Sequence, residues 1–466
     1  MHRTAALTAA LAVSLLLPGT GAGQRTPAAI QQAYGATAER IITAALADSA
    51  AYDRLSYLTD RFGHRFSGSE SLERALDWML EEMRADGLEN VRGEPVMVPR
   101  WVRGAESARM VGPRSQALPM LGLGGSVGTP AGGLTAEVLV VGSFDELRDR
   151  AAEAAGRIVV YDAPFVTYGQ TVQYRTQGAI EAARVGAVAS LIRSVGPFGM
   201  KTPHTGGMSY EEGVPRIPHA ALAMEDVMML RRLQERGERP VVQLRMEART
   251  LPDVMSRNVV AELVGRELPE EIVVLGGHSD SWDVGQGAMD DAGGVVAAWE
   301  AVRLLKALDL RPRRTIRVVA WTNEENGLRG ARAYAAEHAD EVARHVLAIE
   351  SDNGAFMPSG VSFTGSPAAT AIIEAIGRLL APIDATTVAP GGGGADIGPL
   401  MERGVPGMAP LVDGTRYFWY HHTHADTVDK LDPDEVARVT AVMAVMAYVV
   451  ADLEETLPRG PVGGAR

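Results

Sequence analysis

Cysteine is absent from the chain, so neither a disulfide framework nor a thiolate nucleophile belongs to its chemistry. Any metal it holds must sit on His, Asp or Glu. Lysine is nearly absent as well: Lys201, Lys306 and Lys430 are the only three, and this scarcity carries no functional implication. There is no basic excess. The formal net charge is −13, which argues against nucleic acid as the main partner and reads as ordinary solubility. After the N-terminus no stretch reaches the roughly 20 apolar residues that a membrane helix needs. The nearest, Val436 to Val450, carries Arg438 and runs into Asp452, Glu454 and Glu455.

The N-terminus itself has a short basic start (His2, Arg3), an apolar run from Ala5 to Leu17, then Pro18 and small residues to Gly23. That is the pattern of a signal peptide over residues 1–23, with cleavage near Ala22 or Gly23 and a secreted or periplasmic destination. The remainder, in a chain that is 46% hydrophobic and 22% charged, has the balance of a soluble globular protein long enough for two or three domains.

Residues 24 to about 35 read as a loose polar leader, and Ala36 to Leu58 as helical. Ser67 or Ser69 can cap a second helix running through Met83. Val91 to Trp101 is strand-like but contains prolines. From about Gly104 to Met246 short Val/Ile/Leu runs alternate with Gly- and Pro-rich turns and a few helical patches, which predicts a separate β-rich module. Within it, GLGGSVG lacks the spacing and the following helix of a phosphate cradle and reads as a flexible loop.

From Asn258 onward strands and helices alternate. Val259–Val264, Ile272–Leu275, Thr315–Thr322, Val346–Ile349 and Gly404–Val412 read as strands. Gly293 to Leu308, Leu328 to His338 and Pro367 to Leu380 read as helices. A last helix opens at Asp432-Pro433-Asp434-Glu435, with Asp432 as cap and Glu435 at the capping-box position. This βαβ order predicts an α/β fold, a mostly parallel sheet with helices on both faces.

Four of those strands end in ligand-type residues. His278 and Asp280 follow the second, Glu324 and Glu325 the third, Glu350 and Asp352 the fourth, and His421, His422 and His424 the last. Any one alone reads as a solvated or structural group. Four at the same topological position, the carboxyl ends of parallel strands, point to one site. Imidazole and carboxylate are the donors zinc takes in hydrolytic sites. A pair of ions needs a bridging carboxylate, further ligands on each side and a free carboxylate as base. Metal storage by the HHTH cluster would not explain the carboxylates at the other strand ends.

The series HSD, MDDAGG with its first Asp twelve positions after the His, NEENGLRGA, ESD and HHTHADT resembles the dizinc exopeptidase family, the aminopeptidase Y and glutamate carboxypeptidase type. The resemblance covers nearly the whole mature chain. It implies two Zn²⁺, other divalent ions being acceptable to the same donors. It implies His278 and Asp352 on one ion, Glu325 and His422 on the other, and Asp290 bridging both. It implies Glu324 as general base, Asp280 behind His278, and a cis peptide between Asp290 and Asp291. His422 is preferred to His421 and His424 because HTHADT matches the family's HT-x-x-DT.

By the same resemblance the inserted module, residues 104–250, is a protease-associated domain whose segment FVTYGQTVQYRTQGA helps shape the substrate pocket. The catalytic domain is then discontinuous, 35–103 and 251–460. Asp396, in the Gly-rich APGGGGADIGPL, and Arg416 and Tyr417 are candidates for substrate contact. The activity implied is hydrolysis of dipeptides or short peptides by metal-activated water. The alternatives are an aminopeptidase on longer peptides and a non-catalytic, metal-containing binding protein. The latter fits poorly with six filled positions. The resemblance also suggests a homodimer.

Overall fold

The computed structural model describes residues 26–460; the leader read over 1–23 lies outside them. Two eight-stranded sheets organise the chain.

The first runs in the order Glu89–Val102, Arg249–Leu263, Arg314–Trp321, Leu268–His278, His345–Glu350, Gly407–Val412, Pro358–Thr364, Thr387–Pro390. Its middle four strands, 314–321, 268–278, 345–350 and 407–412, are mutually parallel. Antiparallel pairs flank them on both sides, so the sheet is mixed, with its parallel part at the centre. Alternation explains the continuous apolar runs of those inner strands. Val273 and Leu275 face one core with the helices Gly293–Ala307 and Pro433–Asp452. Ile272 and Val274 face the other, with Tyr334 and Leu400. A strand buried on both faces has no polar side to show. Pro95 and Pro99 are tolerated because Glu89–Val102 lies at the edge of the sheet, paired on one side only.

The helices depart from expectation in three places. The polar leader is ordered from Thr26: its hydroxyl accepts the Ala29 N–H at 3.2 Å, Pro27 occupies the first turn, and Ile30 is fully buried in the helix Pro27–Ala47. The single helix expected over 36–58 is two, broken at Asp48, whose carboxylate accepts the Ala50 N–H at 2.9 Å and starts Ala50–Phe62. In the last helix Asp432 caps as expected, accepting from Asp434 N at 2.8 Å, but Glu435 turns outward to Arg416, 3.0 Å away, instead of closing a box. That helix is buried on nearly all sides, which accounts for its apolar run. No helix among the described residues is long and apolar enough to cross a membrane.

The second sheet is built from residues 106–246, in the order Gln116–Leu118, Glu106–Gly112, Val241–Met246, Leu134–Val141, Ile158–Tyr161, Ala189–Arg193, His219–Leu222, Met120–Gly122. Its fourth to seventh strands, Leu134–Val141 to His219–Leu222, are again parallel. Gln173–Arg184 packs on one face through Ala179, Ala182 and Ala183, and Met224–Glu235 on the other through Val227 and Leu230. The unit is therefore three-layered α/β, not β-rich. Its strands, most of them three to six residues long, and its small alanine-faced helix leave a weak periodic signal. The chain leaves the first sheet at Val102 and re-enters it at Arg249, two residues paired with each other.

The GLGGSVG segment is not free. Gly124 N donates to Gly206 O at 3.0 Å, and a Cβ on Gly124 would stand 2.1 Å from the Trp282 indole. The glycine is there because a ring lies flat against it.

Candidate metal centre and cavity

The parallel strands 268–278, 314–321 and 345–350 deliver His278, Glu324 with Glu325, and Asp352 at one edge of the first sheet. His278 Nδ1 donates to the carbonyl of Asp280 at 2.9 Å, which leaves Nε2 as the lone-pair nitrogen. That nitrogen stands 3.1 Å from Asp290 Oδ1 and 3.4 Å from Asp352 Oδ1. The other oxygen of Asp290 lies 3.2 Å from His422 Nε2, which is also 3.0 Å from Glu325 Oε2. Asp290 thus stands between two triads, His278–Asp290–Asp352 and His422–Asp290–Glu325. His421 joins the second side: its Nε2 is 3.6 Å from Asp290 Oδ2 and its ring stacks on His422 at 3.5 Å. The HT-x-x-DT pattern, which begins at His422, leaves it out. His424 is exposed and stands outside both groups of converging ligand atoms.

The donor set fits divalent metal. Ligand atoms of His278, Asp290 and Asp352, and of Asp290, His421 and His422, converge within 4.8 Å of one another. Asp290 Oδ2 and Asp352 Oδ1 are buried with no hydrogen bond of acceptable geometry, although imidazole nitrogens are close. Lone pairs turned toward a shared centre, with no proton between them, are an arrangement of ligands. Burial drives the carboxyl of Glu324 well above the usual range, with Asp352, Glu325 and Asp290 adding to it, and pushes Glu325 and Glu350 up to about 7. A buried negative cluster of this kind is what cations relieve.

The candidate ligands are held by groups that sequence reasoning did not single out. The fully buried Arg65 donates to the carbonyls of Ser279 at 2.9 Å, Gln286 at 2.7 Å and Gly287 at 2.9 Å. Asp426 accepts from the N–H groups of Ala288 at 3.0 Å, Met289 at 2.7 Å and Asp290 at 3.2 Å. Together they clamp the loop that carries Asp290. The Asp290–Asp291 peptide is cis. Asp291 accepts from the N–H of His278 at 3.0 Å and of Gly294 at 3.1 Å. A Cβ on Gly277 would lie 2.3 Å from its carboxylate. Asp426 is the acid of HTHADT, so its position in the motif was visible; its hydrogen bonds were not.

Asp280 is close to His278, but through its backbone. Its carboxylate accepts from Ser67 Oγ at 3.1 Å and from the N–H of Glu324 at 3.0 Å, and lies 3.8 Å from the His278 ring. It fixes the start of the Glu324 segment more directly than it orients the imidazole. Ser69, not Ser67, caps the helix Glu70–Ala85.

A cavity of ≈ 540 Å³ opens over the cluster and is lined by Asp290, Glu324, Glu325, Tyr417, His421 and His422 from the first sheet's loops. Tyr168, Arg175 and Thr176 line it from the FVTYGQTVQYRTQGA segment. Of the three candidate substrate contacts only Tyr417 lines this cavity. Arg416 pairs with Glu435 and lies over the Phe356 ring at 4.8 Å. Asp396 is buried beside Glu350, both oxygens lacking donors, its carboxyl driven well above the usual range by burial and by Glu350.

Arg175 is buried, donates to the Tyr168 hydroxyl at 2.7 Å and comes within 3.5 Å of His422 Nδ1. No carboxylate among the described residues lies within ion-pair distance of it, and its Nε has no acceptor.

The family model of Peptidase family M28 matches residues 258–447. Human carboxypeptidase Q is 51% identical over 428 residues, 91% of each chain. The crystal structure of a peptidase M28 precursor from Shewanella amazonensis superposes with a TM-score of 0.88 at 36% identity, over 92% of this chain and 100% of that one. A zinc aminopeptidase from Bacillus subtilis shares the fold at a TM-score of 0.65 and 20% identity, over 88% and 98%.

Proposed function

This chain belongs to peptidase family M28 and is a metallopeptidase, and from that premise we propose that it is an exported, zinc-dependent exopeptidase acting on dipeptides and short peptides with a free carboxyl end. Export rests on the basic-then-apolar leader; the zinc pair rests on the two triads that share Asp290. The unit 106–246 acts in this reading as an inserted protease-associated domain that supplies one wall of the pocket.

When bound, the two ions polarise the scissile carbonyl and acidify a water. Glu324 lines the cavity beside the two triads and belongs to neither, which leaves its carboxylate available as the base. It takes a proton from that water as the new C–O bond forms, then gives it to the amine as the C–N bond breaks. Ser67 and the Glu324 N–H hold Asp280, which in turn fixes where the Glu324 segment begins.

The direction of reading is carried by one observation: Arg175, a buried guanidinium facing the cavity without a carboxylate partner. Its natural complement is a substrate carboxylate. The test is mass-spectrometric hydrolysis of free, N-acetylated and C-amidated dipeptides and a tetrapeptide. Wild type, chelated wild type and Glu324→Gln are run together. Cleavage of peptides with a free carboxyl end, lost in both controls and on C-amidation, is the expected result. Tolerance of the amide with stepwise trimming from the amino end would instead make the enzyme an aminopeptidase. No cleavage by a folded, zinc-loaded protein would sink the reading.

A further inference from the structure

Beyond the Val102–Arg249 ribbon, the two sheets meet at the loop that carries His422 and at Trp282 and Asp283, on the loop between His278 and Asp290, from which Trp282 reaches Glu325. Thr205 N donates to the carbonyl of His422 at 2.9 Å, and the Thr205 carbonyl faces His422 Nδ1 at 3.4 Å. His422 itself has φ +60°, a left-handed backbone that a non-glycine residue holds only when its surroundings fix it. Gly124 lies against the Trp282 ring, and Trp282 N donates to Glu325 Oε1 at 3.2 Å. Arg103 pairs with Asp283, next to Trp282, and donates to Thr205 Oγ1 at 3.2 Å. Phe165 and Tyr168 pack on Phe418 with ring centroids 5.6 and 5.1 Å apart, and Phe198 on Trp419 at 5.3 Å. The imidazole of the first triad differs: the outer nitrogen of His278 is satisfied by Asp280, from its own strand end, and not by a residue of the second unit.

We infer that ion binding at His422–Asp290–Glu325 is thermodynamically coupled to seating of the 106–246 unit, with Thr205 as the positioning residue that holds the outer nitrogen of His422. A group that orients a ligating imidazole sets ligand affinity as well as geometry. Linkage then works both ways: the seated unit tightens this position, and an ion here fastens the unit. The inference rests on reading the triads as metal positions, which total zinc content tests separately.

The experiment titrates zinc into the full chain against a competing chromophoric chelator. It compares wild type with Arg103→Ala, which removes the Asp283 bridge, and Gly124→Ala, which drives a methyl into Trp282. Neither residue is a ligand. The expected result is one class of site weakened by about 10–100-fold and the other unchanged. Equal weakening of both classes, or of neither, overturns the coupling. Hydrogen exchange covers the case in which a variant misfolds. In wild type and His278→Ala, zinc should slow exchange over residues 122–126 and 203–208; in His422→Ala it should not. Exchange in those segments that ignores zinc, or slows equally in His422→Ala, also overturns it.

Discussion

The two triads share Asp290 and are otherwise built by opposite means. His278 and Asp352 come from adjacent parallel strands whose backbone register places them. Glu325 and His422 sit on loops, and the backbone and ring of His422 meet a residue of the other sheet. One position is a property of a sheet and the other of an assembly. In the proposed two-ion reading, such a site can lose half of its function through damage far from any ligand.

The substitution with the largest expected effect removes the residue common to both sides. Asp290→Ala should empty both positions in a metal analysis. It should lower kcat/KM by more than the about 10²–10⁴-fold expected for removing a general base, as in Glu324→Gln, which should keep its zinc.

Next is Arg65→Met, which leaves the carbonyls of Ser279, Gln286 and Gly287 without their buried donor. Chemical denaturation of the full chain should show a loss of about 3 kcal/mol or more, accompanied by weaker zinc at both positions.

Asp426→Asn is gentler. The side chain still offers one acceptor oxygen to the loop, but three N–H groups lose a charge. Affinity should fall about 10–100-fold, again on both sides of Asp290. An effect confined to one position would break the view that Asp290 belongs to both.

The smallest effect serves as the control. Burial pushes the Glu94 carboxyl up, but His338 and Arg92 outweigh it and hold it below its ordinary value. Its stabilisation is therefore present above the unfolded pKa, about 4.3, and is lost as pH falls through the lower folded value. Glu94→Gln should cost about 1–2 kcal/mol at pH 7, with the difference in Tm closing below about pH 4 and zinc affinity unchanged at both positions.

The residues that converge here were legible because each follows an apolar run at a strand's end, and local order suffices to see that. The clamps were not. Arg65 reaches Gly287 across 222 positions and Thr205 meets His422 across 217, and each acts through main-chain groups that every residue possesses. The same blindness made GLGGSVG look loose: its order comes from Trp282, which no local pattern announces. The first turns of the helix Pro27–Ala47 were hidden, because up to Gly35 Ile30 is the one fully buried residue among small and polar neighbours, whereas from Ala36 on the helical pattern is plain. Arg175 was within a quoted segment, but its lack of an ionic partner is a fact of three dimensions.

Val102 and Arg249 stand directly opposite each other on neighbouring strands. A two-residue turn between them would close an ordinary hairpin and leave every strand of the first sheet where it is. In topological terms, everything from Arg103 to Ala248 is the tip of a hairpin grown to the size of a domain. Because that tip also holds His422 through Thr205, exchanging or shortening it would change the pocket wall and the second triad together.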